Sequence, residues 1–346
     1  MIGFKANRIE HVPGAALPPL LRWLILTDNC IGELPTELGE RPYLQKLMLA
    51  GNRLQRLPES LRNCHRLELI RIAANQISQL PEWLLALPSL TWLAYAGNPL
   101  ETEADAAALA ATASIPWSQL RLEQLLGEGA SGLIHRAAWA RPGHADTPVA
   151  VKLYKGEMTS DGSPLHEMNA CITAGLHPNL IRVEGRVVDH PQDTAGLVMQ
   201  LIEPSYRNLA ALPSLDVYAE DTRFTADVAL RIARGIASVA EHLHRQGITH
   251  GDLYGHNILW NAQGDCLLGD FGAASFHATQ DTLESRALQR IEVRAFGVLL
   301  GELLERTDSG LSAEGRLRLE DLQQRCCQPD VLARPGFDEV IQLLKD

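Results

Sequence analysis

The sequence predicts two domains of different class, an α/β repeat solenoid in the first third of the chain and a larger α+β domain in the remainder. Two observations carry the prediction. Asparagines recur every 23 residues within similar apolar segments, at Asn29, Asn52, Asn75 and Asn98, and such a period is typical of solenoid repeats. From about residue 120 the pattern changes to a glycine-rich turn, alternating apolar strands and then helical segments. The 346 residues are enough for two hydrophobic cores.

Composition and charge narrow the class of partner. A formal net charge of −11 at pH 7 argues against nucleic acid or anionic lipid as the main partner, because both surfaces would repel the chain. The six cysteines show no CxxC spacing, which favours reduced thiols and a cytoplasmic protein. No window holds 18 uninterrupted apolar residues, and the N-terminal MIGFKANRIE lacks a basic segment followed by an apolar one. We therefore expect neither a membrane span nor an export signal.

The repeated segments are LRWLILTDN, LQKLMLAGN, LELIRIAAN and LTWLAYAGN, and three copies continue to a Leu-Pro pair. Alternating apolar residues form a short strand that faces a core, and each asparagine side chain satisfies backbone groups where the chain turns away. The pattern resembles the leucine-rich repeat over residues 4–100. Residues 101–113, ETEADAAALAATA, predict a helix that caps the last repeat. We place this leucine-rich repeat domain at residues 1–115.

One face of the repeat strands is predicted to bind protein, because leucine-rich repeat proteins usually bind on the concave face. The outward strand positions include Trp23, Ile25, Lys46, Met48, Leu69, Arg71 and Trp92. Four of them, Trp23, Met48, Leu69 and Trp92, would form an apolar column across neighbouring strands. Contiguous exposed apolar surface usually marks an interface. We therefore expect a protein partner or substrate here, or else intramolecular docking of the chain's own second domain.

The second domain opens with residues suited to phosphate. Gly127, Gly129 and Gly132 form a GxGxxG pattern, which also occurs in dinucleotide-binding folds. The residues that follow alternate and are β-compatible, which favours a loop between two strands. Lys152 ends the apolar strand VAVK, where burial is unfavourable unless the amine meets an anion. Glu167, in the predicted helix PLHEMNACITAG, is the candidate to hold that amine, with Glu157 as the alternative.

Later motifs complete the pattern: HGDLYGHNIL at 250–259, GDFG at 269–272 and Arg334-Pro335 near the end. Together with the glycine loop, VAVK and the helix glutamate, and in the same order, they resemble the eukaryotic-type protein kinase. The resemblance covers residues 118–346. It implies an α+β bilobal protein-kinase-like domain, with an N-lobe at about 118–203 and a C-lobe at about 204–346.

The resemblance also implies catalytic roles, with ATP and Mg²⁺ as cofactors. Asp252 would orient the acceptor hydroxyl and take its proton. Asn257 and Asp270 would hold magnesium, for which oxygen ligands are suited. Lys152, held by Glu167, would grip the α- and β-phosphates.

The same resemblance implies the ATP-binding residues. The loop of Gly127, Gly129 and Gly132 would cover the phosphates. The adenine would lie between Ile134, Ala150 and Leu259. Beside it would run the hinge strand with Met199, Gln200 and Ile202, where Met199 guards the pocket behind the base.

Two departures from the family pattern lie in the catalytic loop. Gly251 stands where many protein kinases have an arginine that pairs with a phosphorylated activation loop, so activation by loop phosphorylation is not expected. Tyr254 stands where serine/threonine kinases have a lysine that touches the γ-phosphate. Because a phenol supplies no charge, magnesium and Lys152 must stabilise the transition state, or a cation from elsewhere in the chain must contribute. His256 is the nearest candidate.

A third departure is a short activation segment. Only 22 positions separate Asp270 from Glu292, which replaces an aspartate that normally fastens the catalytic loop, and no APE motif lies between them. Arg334 would pair with the glutamate of that motif, so we expect Glu284 or Glu292 to replace it. The segment also holds four candidate autophosphorylation sites, Ser275, Thr279, Thr282 and Ser285.

These features give three functional hypotheses. The first is an ATP-dependent protein kinase of the serine/threonine type, whose leucine-rich repeats recruit a partner or substrate. The second is a small-molecule phosphotransferase, because an HGD loop without the lysine also resembles aminoglycoside and choline kinases. The third is a catalytically silent ATP-binding scaffold. Retention of every predicted catalytic group argues against the third, because buried unpaired charges cost stability.

Overall fold

The computed structural model describes residues 1–102, 106–156, 158–159, 161–211, 222–308 and 310–345. These residues form a parallel repeat sheet followed by a two-lobed domain of mixed sheet and helices, so the predicted fold class is confirmed. Among the helices of the described residues, none is long and apolar enough to cross a membrane.

The repeat module is built on five short parallel strands in the order β1-β2-β3-β4-β5. Their bounds are β1 Ile2–Gly3, β2 Trp23–Ile25, β3 Lys46–Met48, β4 Leu69–Arg71 and β5 Trp92–Ala94, and a short helix, α1, covers Glu82–Leu85. The asparagines hold the turns. Asn52 Nδ2 donates to Leu26 O and Leu49 O, each at 2.9 Å, and its Oδ1 accepts from Ile31 N at 3.0 Å. These bonds satisfy buried backbone groups, and the predicted repeat is confirmed.

The strand register corrects the predicted apolar column. Trp23, Lys46, Leu69 and Trp92 are paired in one row across the sheet, and Ile25, Met48, Arg71 and Ala94 form the next. Met48 is outside the row of Trp23 because residues two apart on a strand share a face but lie in different rows. Lys46 takes that place, with its Nζ 4.4 Å from the centre of the Trp23 ring. The face is half-buried on β2 and β3, whereas Leu69 and Arg71 on β4 are buried.

The N-lobe is a six-stranded sheet in the order β6-β10-β11-β9-β8-β7. Its strands are β6 Ser114–Pro116, β7 Leu120–Glu128, β8 Gly132–Trp139, β9 Thr147–Tyr154, β10 Val183–Val188 and β11 Gly196–Gln200. Two helices accompany it, α2 Ala106–Ala111 and α3 Pro164–Thr173. Helix α3 begins after Ser163, whose side chain accepts from Leu165 N, and has proline at its first position.

Helix α2 and strand β6 change the predicted boundary between the domains. Leu109 of α2 packs in an apolar cluster with Tyr154, Ile172 and Leu197 of the N-lobe. Strand β6 pairs in parallel with β10. The helix predicted to cap the last repeat therefore packs on the second domain, and the N-lobe sheet begins at Ser114.

The C-lobe is mainly helical. Its helices are α4 Ala226–Arg245, α5 Leu283–Glu305, α6 Ala313–Cys326 and α7 Phe337–Lys345, and its short strands are β12 Arg207–Asn208, β13 Ile248–Thr249, β14 Ile258–Trp260, β15 Cys266–Leu268 and β16 Ser275–Phe276. Thr282 and Ser285 form a reciprocal capping box at the start of α5. Ser275 and Ser285, two of the candidate autophosphorylation sites, are buried.

The repeat module and the C-lobe share one apolar core. Four C-lobe residues, Ala287, Leu288, Ile291 and Val331, cluster with repeat residues that include Leu90 and Leu93. Burying one leucine, isoleucine or valine side chain contributes about 1.5–3 kcal/mol, so the three larger C-lobe residues contribute roughly 5–9 kcal/mol. The repeats are therefore packed on the C-lobe through buried apolar side chains.

Docking of the repeats gives Arg334 a backbone acceptor in place of the predicted pairing with a glutamate. Its buried guanidinium donates to the carbonyl oxygens of Gln328 at 2.8 Å, Arg290 at 3.1 Å and Pro88 at 2.9 Å. Pro88 belongs to the repeat module. The predicted pairing of Arg334 with Glu284 or Glu292 is therefore wrong, because the repeat backbone comes close enough to supply an acceptor. Glu292 instead accepts from Gly251 N at 2.8 Å and lies 2.8 Å from His244 Nε2.

Candidate active site

Lys152 and Glu167 form an ion pair in the cleft between the lobes. Lys152 lies on β9 and Glu167 on α3, and Lys152 Nζ contacts Glu167 Oε1. Burial alone would lower the pKa of Lys152, but the Glu167 carboxylate outweighs it and raises that pKa above its ordinary value. The amine therefore stays charged and available to an anion. Glu157, the alternative partner, lies outside the described residues.

The loop between β13 and β14 brings Asp252 and Asn257 together. A 3₁₀ turn at Gly255–Asn257 directs Asn257 back, so that its Nδ2 donates to Asp252 O at 2.8 Å and to Asp252 Oδ2 at 3.1 Å. Because Asp252 engages the amide nitrogen, the amide oxygen is the atom left to bind a hard cation. Gly269 N donates to Asn257 O at 2.9 Å, which places Asp270 beside this loop.

Gly251 has a steric reason to be glycine. Its φ is +71°, and a Cβ at this position would lie 2.4 Å from the carbonyl oxygen of Ala273 and 2.8 Å from that of Leu93. Leu93 belongs to β5 of the repeat module. The docked repeat strand therefore occupies the space that a side chain at position 251 would need.

Lys152, Asp270 and most of the glycine loop line one pocket, whereas Gly127 and Asn257 lie outside its walls. Its walls are the loop of Gly129, Ala130, Ser131 and Gly132, together with Ile134, Lys152, Thr159, Asp161, Glu167, Asp270 and Gly272. A Cβ at Gly132 would lie 2.5 Å from Leu153 O, so glycine lets the loop approach β9 closely. The pocket offers an ammonium for phosphate oxygens and the Asp270 carboxylate for a hard cation, and Asn257 adjoins it through the bond from Gly269 N to Asn257 O. This donor set fits ATP with Mg²⁺.

Of the predicted adenine-binding residues, the structure places two, Ile134 and Met199, at a cavity of the same cleft. Ala150 on β9 is buried and pairs in register with Met199 on β11. Ile134 and Met199 also line an apolar cavity that reaches Phe271. Leu259 and Ile202 are half-buried, and Gln200 is exposed at the end of β11. Both lobes therefore present apolar side chains to a flat base.

One basic residue beside Asp252 was not predicted from the sequence. Arg71, on β4 of the repeat module, is 1% exposed. Its Nη1 donates to Gly251 O at 2.9 Å, its Nε donates to Asp161 Oδ1 at 2.8 Å, and its Nη2 forms an ion pair with Asp252 Oδ1. Burial would lower the pKa of Arg71, but the two carboxylates raise it, so the guanidinium stays charged. The local signal was an arginine at an outward position of the apolar strand LELIRIAAN.

Other repeat residues extend this contact. Trp92 Nε1 donates to Leu253 O at 3.1 Å. Burial has the largest effect on the pKa of Lys46 and lowers it, while the nearby charge of Asp252 raises it. His256, the predicted nearby cation, stacks on Tyr254 with ring centres 6.1 Å apart, and its Nδ1 lies 3.3 Å from Ala210 O. The cation in contact with Asp252 is therefore the guanidinium of Arg71, from the repeat module, rather than His256.

Comparison with known proteins finds matches to both parts of the chain. The profile of the family described as protein tyrosine and serine/threonine kinase matches residues 120–313, and that of leucine rich repeat matches residues 42–100. Cyclin-dependent kinase 10 from Bos taurus is 28% identical over 222 residues, which cover 63% of this chain and 58% of that protein. Ephrin type-B receptor 4 from Mus musculus is 26% identical over 270 residues, which cover 66% of this chain and 26% of the receptor. The chain thus spans only part of the length of these relatives.

Proposed function

The chain belongs to the protein tyrosine and serine/threonine kinase family, and from this premise we propose that it is an ATP-dependent protein kinase. The observation that carries the proposal is one cleft that brings together Asp252, Asn257, Asp270 and the Lys152–Glu167 pair. The family includes kinases of tyrosine and of serine or threonine. We propose serine or threonine as the acceptor, and phosphoamino-acid analysis tests that choice.

Each residue has one task in the proposed reaction. Bound Mg²⁺ supplies charge neutralisation for the phosphates, and Asn257 and Asp270 hold it. Lys152, fixed by Glu167, binds phosphate oxygens. Asp252 accepts a hydrogen bond from the acceptor hydroxyl and takes its proton during transfer.

Catalysis is tested with the whole chain, labelled ATP, Mg²⁺ and a general protein substrate. We expect label on serine or threonine, and loss of transfer by about 10²–10⁴-fold in Asp252→Asn, because that change removes the proton acceptor. Lys152→Met should also lose transfer. The exposed Lys5→Met and Asp146→Asn are matched controls that should retain it. Transfer only to small hydroxyl compounds would instead identify a small-molecule phosphotransferase, and ATP binding without transfer would identify a silent scaffold.

We also propose that the half-buried repeat face receives the protein substrate. This face consists of Trp23, Ile25, Lys46 and Met48 on β2 and β3. Met48 pairs in register with Arg71, so the face is continuous with the guanidinium that contacts Asp252. The opposite end of the sheet, at Trp92, contacts the catalytic loop. Apolar surface beside a catalytic carboxylate is suited to an extended protein segment.

This second proposal is tested by substrate kinetics. The double variant Trp23→Ser with Met48→Ser should raise KM for the protein substrate about tenfold or more, because it removes two apolar contacts worth about 1.5–3 kcal/mol each when fully buried. Hydrolysis of ATP without acceptor should be unchanged. Tyr43→Ser, at an aromatic residue 41% exposed outside the strands, is the matched control. An unchanged KM in the double variant would refute substrate binding on this face.

A further inference from the structure

The catalytic loop lacks a basic residue at the two positions where the family resemblance expects one. Tyr254 replaces a lysine, and Gly251 replaces an arginine. Burial is the main cause that raises the pKa of the Tyr254 phenol, and the charge of Asp252 raises it further, so this side chain stays neutral. The loop therefore brings no lysine or arginine to the half-buried Asp252 carboxylate.

Arg71 reaches that carboxylate from the repeat module. We propose that Arg71 is the positioning cation of Asp252, supplied by the leucine-rich repeats in place of the lysine that Tyr254 displaces. The inference rests on the proposed kinase function, because it assigns a role in the same phosphoryl-transfer site.

The contacts of Arg71 and Asn257 fix the orientation of the carboxylate. Arg71 engages Oδ1 of Asp252, and Asn257 Nδ2 engages Oδ2. Each carboxylate oxygen can accept two hydrogen bonds, so both oxygens keep capacity for an acceptor hydroxyl. The Asp252 side chain is 19% exposed. Arg71 thus orients the proton acceptor and leaves it open on one side.

The guanidinium also joins the two lobes. Asp161 precedes α3 in the N-lobe, whereas Gly251 and Asp252 belong to the C-lobe. A planar guanidinium can bond three such acceptors in fixed directions, which an ammonium cannot do equally well. Arg71 therefore positions Asp252 relative to the N-lobe loop beside the phosphate pocket.

Two observations favour a fixed part of the site over a removable lid. Leu288 and Ile291 of the C-lobe are buried in the repeat core, so undocking would expose them. A side chain at position 251 would also lie 2.8 Å from Leu93 O of the docked strand, beyond the nearer Ala273 O of the C-lobe. Both features match a catalytic loop that functions with the repeats in place.

The test compares Arg71→Gln and Arg71→Lys in the whole chain. Arg71→Gln should lower kcat for transfer, and the rate of acceptor-independent ATP hydrolysis, by about 10- to 100-fold, the range for losing a charge-assisted hydrogen bond. Affinity for MgATP, measured by calorimetry, should stay within about twofold, because Lys152 holds the phosphates. Arg71→Lys keeps the charge and should lose less than Arg71→Gln. Arg56→Gln, at an exposed arginine of the same module, is the matched control.

Rescue separates a charge effect from a folding effect. Adding Tyr254→Lys to Arg71→Gln should restore most of the lost kcat, because it returns a cation to the loop beside Asp252. The other charged or titratable groups that face Asp252 are Lys46, Asp161, His250, Tyr254 and Asp270, and the variants leave all of them except Tyr254 in place.

Three other results would overturn the proposed role of Arg71. Faster transfer in Arg71→Gln or Arg71→Lys would show that the repeats block the site. A lower melting temperature with unchanged kcat would show that Arg71 only stabilises the fold. If Arg71→Gln does not fold, Arg71→Lys decides, because a partial loss supports a positioning cation and a gain supports a block. A wild-type chain that binds MgATP but neither hydrolyses nor transfers it refutes the proposed function, and the role of Arg71 fails with it.

Discussion

Truncating Leu288 in α5 tests whether the repeats and the C-lobe fold as one unit. Leu288 is 5% exposed and lies in the apolar cluster that contains the repeat core. Leu283, on the same helix, is 67% exposed, so Leu283→Ala is a matched control with the same chemical change. Leu288→Ala should lower the free energy of unfolding by about 2–5 kcal/mol, the sum of lost transfer energy and the cavity left behind. The control should change it by about 0.5 kcal/mol or less.

Urea denaturation measures the loss, and hydrogen exchange with mass spectrometry locates it. Because Leu288 joins two modules, Leu288→Ala should speed amide exchange in β4 and β5 as well as in α5. Faster exchange confined to α5 and its C-lobe neighbours would refute a shared core. An equal loss of stability in Leu283→Ala would refute the claim that Leu288 stabilises the protein through the shared core.

Two further predictions concern polar contacts near the catalytic loop. Burial would raise the pKa of Glu292, but the hydrogen bond and charge of His244 and the Gly251 amide hold it below its ordinary value of 4.5. A carboxylate with a lowered folded pKa stabilises the fold above its unfolded pKa and loses that effect as the pH falls through the folded value. Glu292→Gln should therefore lower the free energy of unfolding by about 1–3 kcal/mol at neutral pH. In a pH series of urea denaturations this loss of stability should shrink below pH 4.5. A loss that does not change with pH would contradict this role of the carboxylate. Trp92→Phe keeps an aromatic side chain but removes the pyrrole part of the indole together with the donor to Leu253 O, so it should lower the free energy of unfolding by at least about 0.5–1.5 kcal/mol in the same measurement. No loss would show that this bond does not contribute.

The repeated and ordered motifs could be predicted because their signals are local. A 23-residue period places Asn52 and its equivalents at turns, and the structure shows those side chains bonding to backbone. Lys152, Glu167, Asp252 and Asp270 were recognisable from the types and order of their motifs. Each signal is a short run of residue types that a single sequence displays, even where the contact reaches a neighbouring element, as the bond from Asn52 to Leu26 O does.

The relation between the two modules could not be predicted, because its contacts join residues far apart in sequence. Arg71 and Asp252 are 181 positions apart, and Arg334 and Pro88 are 246 apart. No periodicity links such pairs. Arg71 looked like one polar residue on an outward strand face, and Gly251 looked like the loss of a phosphate-binding arginine. In the structure both positions lie against the other module, since Arg71 contacts Asp252, and Gly251 faces Leu93 O as well as Ala273 O.

The short activation segment depends on the repeats for contacts that a longer segment could make itself. Pro88 O accepts from Arg334 at 2.9 Å, Tyr95 OH donates to Phe276 O at 3.1 Å, and Glu101 Oε1 accepts from Phe276 N at 2.9 Å. Removing the repeats would leave Arg334 with one fewer acceptor and would uncover the apolar surface around Leu288, and unpaired buried cations and exposed core both cost stability. We therefore expect the kinase domain without the repeats to be less stable than the whole chain. On the proposed function, the surface that selects the acceptor is carried by the repeat strands, so changes in those strands alter substrate choice and catalytic geometry together.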